Sequence, residues 1–405
     1  MNQSTLKIGI VGAGPAGVVM AIALARRGIG CTLIERDPNP EIAPRFNPDR
    51  SYTIDITGHG LRALRYIDAC DTFDQEMIQF KGIKAPISNQ TEAWDEPGWT
   101  GSRGDILRTL MKEIKSKHAE QIQFIFGAKV MAVNVQSGAI TYCRNSEIKK
   151  EVFDLIIGAD GGGSAVRQAL VEQIPEFTTQ YNQIPNYMMM IELDQNIDQL
   201  DENYLYLFNL NPFCVAGAVK GDSTEQPFRW FCAVGSNYEQ SYENMEAARQ
   251  MFKNRAPRML KMVSDASLAS FAERECFHIG KMLSCSQLYG GRAVLLGDAA
   301  APFSPTGQGT NAAMESAIVL DQHLSLDSLD SLYPSLVQYS KAWKPEADAA
   351  TWICRKMEFG NMFHLVRLLV TSKLGISPVS NAKRLDLSYA QVKQQAKRFR
   401  LIWGK

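Results

Sequence analysis

The chain opens on an apolar run, Ile8-Gly9-Ile10-Val11, that breaks at Gly12-Ala13-Gly14-Pro15-Ala16-Gly17 and resumes as Val18-Val19-Met20-Ala21-Ile22-Ala23-Leu24-Ala25. That order predicts a buried strand, a tight turn and an apolar helix. A second apolar strand, Cys31-Thr32-Leu33-Ile34, ends in Glu35. Residues 51–57 alternate with period two and meet Gly58-His59-Gly60, after which Leu61, Leu64 and Ile67 mark a short helical stripe. Phe80-Lys81-Gly82-Ile83-Lys84-Ala85 predicts a strand, followed by a polar hairpin-like stretch with Trp94 and Trp99. An amphipathic helix opening at Ser102-Arg103 then leads to strands over Ile122–Phe126 and Lys129–Val135.

Residues 152–161 read as one buried strand ending in Asp160-Gly161, with Ser164 and Arg167 starting the next helix. From 178 to 279 the pattern is strand-rich, with Tyr187–Glu192, Tyr204–Asn209, Cys214–Val219 and Arg229–Val234 before a helical stretch near Glu243–Phe252. Residues 292–300 form a further strand ending in Gly297-Asp298, and 301–315 pass through a Pro/Gly loop into a helix. Beyond residue 361, Phe363, Leu365, Val366, Leu368 and Leu369 make an apolar helix face, and the last residues are basic. An α/β fold is expected, a Rossmann-type dinucleotide-binding domain interleaved with a β-sheet substrate domain and followed by C-terminal helices. The first domain is assigned 1–70, 100–177 and 280–335, the sheet domain 71–99 and 178–279, and the helical extension 336–405.

Composition narrows the function classes. Hydrophobic residues at 45% and charged residues at 21% suit a globular enzyme with a large core. Basic and acidic residues cancel at 43 each, so no global field attracts nucleic acid, and none is expected as a partner. Eight cysteines without a C-x-x-C pair predict reduced, mostly buried thiols and no metal site. Three turn glycines and a proline inside Ile8–Ala25 argue against a membrane span or signal sequence there. The expectation is a cytoplasmic chain without an integral membrane span.

The three glycines have separate uses. Gly12 makes the turn, Gly14 lets a pyrophosphate reach the backbone, and Gly17 lets the helix lie close on the strand. Glu35 follows about 20 residues on, where an acid accepts ribose hydroxyls. FAD and NAD stand equally open at this point. Asp160-Gly161 ends a strand where open α/β sheets place ligands. Asp298 would accept a ribitol or ribose hydroxyl, while Gly307 and Gly309 at the next helix start let a flat ring approach backbone N–H groups. His59 is read as a helix-start residue held by packing, since no partner acid can be named for it.

Together, Gly12-x-Gly14-x-x-Gly17 with Glu35, Asp160-Gly161, and Gly297-Asp298 through Gly307-Gln308-Gly309 resemble the single-component flavoprotein aromatic hydroxylases of the para-hydroxybenzoate hydroxylase fold. The resemblance runs over about residues 6–345. Asp49-Arg50-Ser51, the Ser102-Arg103 helix start and Lys344-Pro345-Glu346-Ala347-Asp348-Ala349 look most like the kynurenine 3-monooxygenase family. It implies that FAD is bound, that NADPH or NADH reduces it, and that a flavin hydroperoxide formed with O2 hydroxylates a small aromatic or heteroaromatic substrate. Glu35 and Arg36 would then hold the adenosine ribose, Arg50 and Arg103 would contact FAD, and the backbone at Val130 would flank the adenine. Asp298 would bind the ribitol and pyrophosphate region, while Thr310 and Asn311 would present N–H groups to the flavin's carbonyl edge. Asp160 with Arg167 would serve both FAD and NAD(P)H, and Pro305 would lie near the oxygen reaction as the catalytic position. A monomer or homodimer is expected.

Two alternatives share this pattern: another flavoenzyme of the fold (halogenase, epoxidase or reductase), and a non-catalytic flavin-binding relative. The halogenase signature Trp-x-Trp-x-Ile-Pro is absent. The kynurenine enzymes grip a carboxylate with an arginine, a tyrosine and an asparagine. Here the aligned positions are Ile83 or Lys84, Thr91 and Met357. Replacing a charged partner by an apolar one costs several kcal/mol, on the order of a thousandfold, so a substrate other than kynurenine is expected.

Overall fold

A computed structural model describes residues 6–45, 52–86, 90–304, 307–360 and 362–403. The expectations for Arg50 and Pro305 lie outside the described residues. Strands with both faces covered must be apolar throughout. Ile8–Val11, Cys31–Ile34 and Leu155–Gly158 are buried at every position. With Ile122–Ile125, Ala293–Leu295 and Tyr289–Gly290 they form a six-stranded sheet, parallel except at Tyr289–Gly290. Helix Pro15–Arg26 buries every residue from Pro15 to Ala25, which explains why it shows no polar face. Its approach to the strand depends on Gly17, where an added Cβ would stand 2.1 Å from the Gly12 carbonyl oxygen.

The second sheet has eight strands, in the order Phe277–His278, Tyr187–Leu193, Phe228–Ser236, Phe213–Lys220, Tyr204–Leu210, Ile78–Ala85, Gln90–Gly101 and Ile54–Ile56. Period-two alternation sends Met189, Ile191, Cys214, Ala216, Ala218, Cys232 and Val234 to one face. Helices Met245–Arg255, Pro257–Leu260 and Asp265–Ala272 cover that outer face. Met190, Val219 and Phe231 lie on the inner face, packed with Tyr52, Met188 and Ala233. The edge strand Ile54–Ile56 lies in sequence between the first two glycine-turn strands and the hairpin Ile78–Gly101, so this sheet borrows an edge from the chain around the nucleotide fold.

Two elements differ from expectation. Among the described residues of the alternating stretch 51–57, only Ile54–Ile56 are strand. Residues 152–161 are two strands rather than one: Glu147–Val152 closes a three-stranded antiparallel sheet with Ala128–Asn134 and Ala139–Arg144, and Leu155–Gly158 enters the central sheet. Asp154 causes the break, because its carboxylate accepts the Lys7 N–H at 2.8 Å and pairs with Arg292 at 3.3 Å.

The C-terminal part comprises the long helix Leu329–Cys354 and the shorter helices Met362–Lys373, Pro378–Asn381, Tyr389–Lys397 and Arg400–Trp403. Phe363 and Val366 of the expected apolar face are exposed. Among the described residues no helix is long and apolar enough to cross a membrane. Gly17→Ala is expected to destabilise the apoprotein by about 1–3 kcal/mol through overpacking, read as a lower urea midpoint at unchanged slope.

Candidate active site

The glycine turn is built for a ligand that needs bare backbone. Gly12 adopts φ +99°, and an added Cβ would meet the Ala159 carbonyl oxygen at 2.5 Å. Gly14 caps helix Pro15–Arg26, with Pro15 at its first position, so the first-turn N–H groups of Ala16 and Gly17 have no intrahelical partners. Glu35 accepts the Ala13 N–H at 2.7 Å and the Asp37 N–H at 2.9 Å, which fixes the turn. Each oxygen retains a lone pair for a ribose hydroxyl. Arg36 is exposed beside Asp37, and Val130 lies half-buried on strand Ala128–Asn134.

Arg103 reaches over this turn, its guanidinium 3.0 Å from where a Gly14 Cβ would be. It opens helix Arg103–Lys117, whose start is pinned by a reciprocal Ser102–Asp105 capping box. Arg103 forms no ion pair with a described residue. Facing it is Asp298, in the first turn of helix Gly297–Ala300. Asp298 is exposed at the cleft with protein packed around it; desolvation by that surrounding protein pushes its carboxyl up to about 6, against the opposing pull of Arg103 and Arg167. Gly297 lies between the first turns of two helices: an added Cβ would sit 2.9 Å from the Ala313 Cβ and 3.4 Å from the Ala16 Cβ. Both positive helix ends therefore converge beside Asp298. An unpaired guanidinium, two helix N-termini and a carboxylate fit a pyrophosphate joined to a polyol.

Asp160 and Arg167 are engaged within the protein. Asp160 caps helix Ala165–Gln173, accepting from Ser164 Oγ at 2.5 Å and the Ala165 N–H at 2.6 Å. Burial raises its carboxyl above the ordinary range, opposed by those hydrogen bonds. Arg167 donates to the carbonyls of Ala299 at 2.8 Å and of Gly162. It ties the Asp160-Gly161 turn to the turn carrying Asp298.

Helix Gly309–His323 presents its N-terminus at the same cleft. Asn311 is fully buried; its Nδ2 donates to the carbonyls of Asp55 and Gly307, both at 2.8 Å, and its Oδ1 accepts the Thr57 N–H at 3.1 Å. The side chain thus stitches the loop to strand Ile54–Ile56, while the first-turn N–H groups of Gly309, Thr310 and Asn311 have no intrahelical partners. His59 does have an acid: its Nδ1 bonds Glu315, which Arg62 also holds at 2.7 Å. Burial lowers the imidazole pKa below its usual value, opposed by the Glu315 hydrogen bond. Glu315 escaped the sequence reading because it arrives from a helix 256 residues away.

The inner sheet face supplies a largely apolar wall opposite this loop. Asn186, fully buried, anchors one end: it donates to Ser304 Oγ at 3.3 Å and the Met357 carbonyl at 2.7 Å, and accepts the Phe359 N–H at 2.8 Å. Phe359 stacks on Phe213 with centroids 4.9 Å apart. Strand register puts the two candidate positions, Ile83 and Lys84, on opposite faces. Lys84 pairs across the sheet with Tyr206 and Thr91, binds Asp201 at 3.3 Å, and lies over the Tyr204 ring at 4.0 Å, all on the outer face. The inner face receives Ile83 and, opposite it, Glu92.

A family model described as FAD binding domain matches residues 5–329. The kynurenine 3-monooxygenase of Candida albicans is 25% identical over 381 residues, covering 90% of this chain and 81% of that one. The tetrameric form of 2-methyl-3-hydroxypyridine-5-carboxylic acid oxygenase superposes with a TM-score of 0.67 at 20% identity, over 89% of this chain and 94% of that one. A Klebsiella pneumoniae HpxO variant complexed with FAD gives 0.64 at 19%, over 98% and 97%. These two likenesses concern the fold.

Two outcomes are expected at Asp298. Asp298→Ala should weaken FAD binding by roughly 10–100-fold, the worth of a hydrogen bond to a charged group, in a fluorescence titration of the apoprotein. Because the folded carboxyl sits near 6 against an ordinary 3.8, its contribution to apoprotein stability is full below about pH 4 and is lost as pH rises through about 6. Asp298→Asn should flatten that part of the stability profile.

Proposed function

From the premise that this chain belongs to the FAD-binding domain family, we propose that it is a monooxygenase hydroxylating an uncharged aromatic or heteroaromatic ring. NAD(P)H supplies two electrons, one atom of O2 replaces a ring hydrogen as hydroxyl, and the other leaves as water. Bound FAD supplies the electron transfer and the oxygen activation. The chain's residues bind, orient and exclude water. The glycine turn and Arg103 hold the pyrophosphate, Glu35 and Arg36 the ribose, and Val130 the adenine edge. Asp298 takes the polyol, and the N–H groups of Thr310 and Asn311 orient the flavin's carbonyl edge. Tyr52 faces both Asp298 and the inner sheet; burial and the Asp298 charge raise its phenol pKa, so at neutral pH it is a hydrogen-bond donor. Pro305 follows Ser304, which Asn186 holds at 3.3 Å, and we place the oxygen chemistry beside it.

The substrate assignment is carried by the sheet register. Of the two positions aligned with the arginine of the kynurenine enzymes, Ile83 and Lys84, Ile83 is the one on the inner face, and Glu92 beside it would repel a carboxylate. The remaining wall, Met188, Met190, Val219, Phe231 and Ala233, is apolar. Arg229 lies at the far end with Nε and Nη2 on Glu192, at 2.8 and 2.9 Å, and Nη1 3.9 Å from Asp222. All eight cysteines are free, which fits a reducing compartment, and we place the chain in the cytoplasm as a monomer or homodimer.

The test is anaerobic mixing of the FAD-loaded protein with NADPH in the presence of phenols, indoles and their carboxylate-bearing analogues. An uncharged ring should speed flavin reduction by about tenfold or more, whereas kynurenine should not. Ile83→Arg should shift the preference toward carboxylates. Stimulation of the unsubstituted protein by kynurenine equal to that by uncharged rings would overturn the assignment.

A further inference from the structure

We propose that Tyr389 and Lys383, both on the C-terminal extension, are positioning residues that set the flavin-facing loop Gly307–Asn311. This rests on the reading of that loop as the flavin's carbonyl-edge contact. A Gly-Gln-Gly segment has little intrinsic rigidity, and Gly307 is held at φ +77°. Something outside the loop must fix it, and two contacts from the extension land on consecutive loop residues.

The first is at Gln308. Its Nε2 donates to the Gly307 carbonyl at 3.0 Å, and its Oε1 accepts from the Tyr389 hydroxyl at 3.1 Å, with both residues almost fully buried. The Tyr389 ring cannot swing away. It stacks on His59 with centroids 3.7 Å apart and 7° between planes, and His59 is itself held through Glu315 and Arg62.

The second is at Gly307. Lys383 Nζ binds Asp55 Oδ2 at 2.8 Å in a buried pair, and Asp55 Oδ1 stands 2.7 Å from where a Gly307 Cβ would be. The same Asp55 gives its backbone carbonyl to Asn311. Backbone fits as well, since Gly58 at φ +41° leaves room for the Lys383 carbonyl, 2.5 Å from an added Cβ. Lys383, Asp55, Gly307 and Asn311 thus form one chain of contacts, and Tyr389–Gln308 a second. N–H dipoles act on a bound ring in proportion to how accurately they are aimed. A loop freed from both anchors would bind the same cofactor with a less well-defined field.

Tyr389→Phe removes one oxygen and keeps the ring stack, and Lys383→Met combined with Asp55→Asn removes the pair without stranding a buried charge. Lys356→Gln is the control: it cuts the bond from Lys356 Nζ to the Trp403 carbonyl, loosening the extension away from the loop. Each loop variant should raise the FAD dissociation constant by roughly 2–10-fold, shift the bound flavin's visible absorption bands and reduction potential, and lower kcat more than it changes KM. The control should do none of these. Lys383→Arg, which keeps the charge, should restore most of the loss. If Tyr389→Phe and the double variant lower only apoprotein stability, leaving flavin affinity, spectrum and potential as in the parent, the proposal is overturned. Should the double variant not fold, Tyr389→Phe alone decides it. Flavin titration is independent of the aromatic substrate, so a carboxylate substrate would sink the substrate assignment and leave this inference standing, and the converse holds.

Discussion

Two helices begin at one place, and the rest of the site follows from that convergence. Helices Pro15–Arg26 and Gly309–His323 pack against each other, and Gly297 fits between their first turns because it has no side chain. Each helix start carries free N–H groups and a partial positive charge, and two together at a cleft make a strong anion and dipole site. Convergence requires small residues wherever the backbones approach. The motif therefore extends beyond the first glycine triplet to Gly297, Ala16 and Ala313. Asp298 next to that point is suited to a polyol rather than a phosphate, since a phosphate there would meet a like charge.

From this cleft the chain reaches a second sheet whose inner face carries an apolar cluster. It does so by lending strand Ile54–Ile56 as the sheet's edge, and by tying the far end through Asn186, whose side chain joins Ser304 of the loop to residues 357 and 359. The two sheets are thereby connected by hydrogen bonds to backbone at both ends of the site. A ring placed between them would be shielded from water on the sheet side, where backbone dipoles count for more than in solvent.

Much of this was legible in the residues. Glycine spacing, the apolar strands and the acid at Glu35 are local features whose physical reasons are local too. The unread parts share a different cause, which is dependence on partners remote in sequence. His59 gains Glu315, and Asp55 gains Lys383, only when distant segments are folded together. Whether Ile83 or Lys84 faces the site depends on which face of the sheet the distant helices cover: strand Ile78–Ala85 alternates unbroken, so Lys84 shares the covered outer face with Ile78. Alternation alone assigns two sets of side chains and does not say which set is inside. Asp154 broke a strand that hydrophobicity made continuous, because its carboxylate found the backbone of Lys7.

The C-terminal extension is where this distinction matters most. By sequence it is an appendage with an apolar stripe and a basic tail, and part of that stripe does face outward. Yet the extension also inserts Tyr389 and Lys383 into a buried polar region. Buried hydroxyls and ammonium groups are costly to place unless each finds a partner, so their partners are geometrically demanding. Here those partners are Gln308, in the loop proposed to meet the flavin, and Asp55, pressed against Gly307 of the same loop. A structural tail that only covered apolar surface would need neither group, since leucine or phenylalanine would cover it without the desolvation penalty. Directional polar contacts at this one loop imply that the position of its backbone, rather than the burial of its surface, is what the extension fixes.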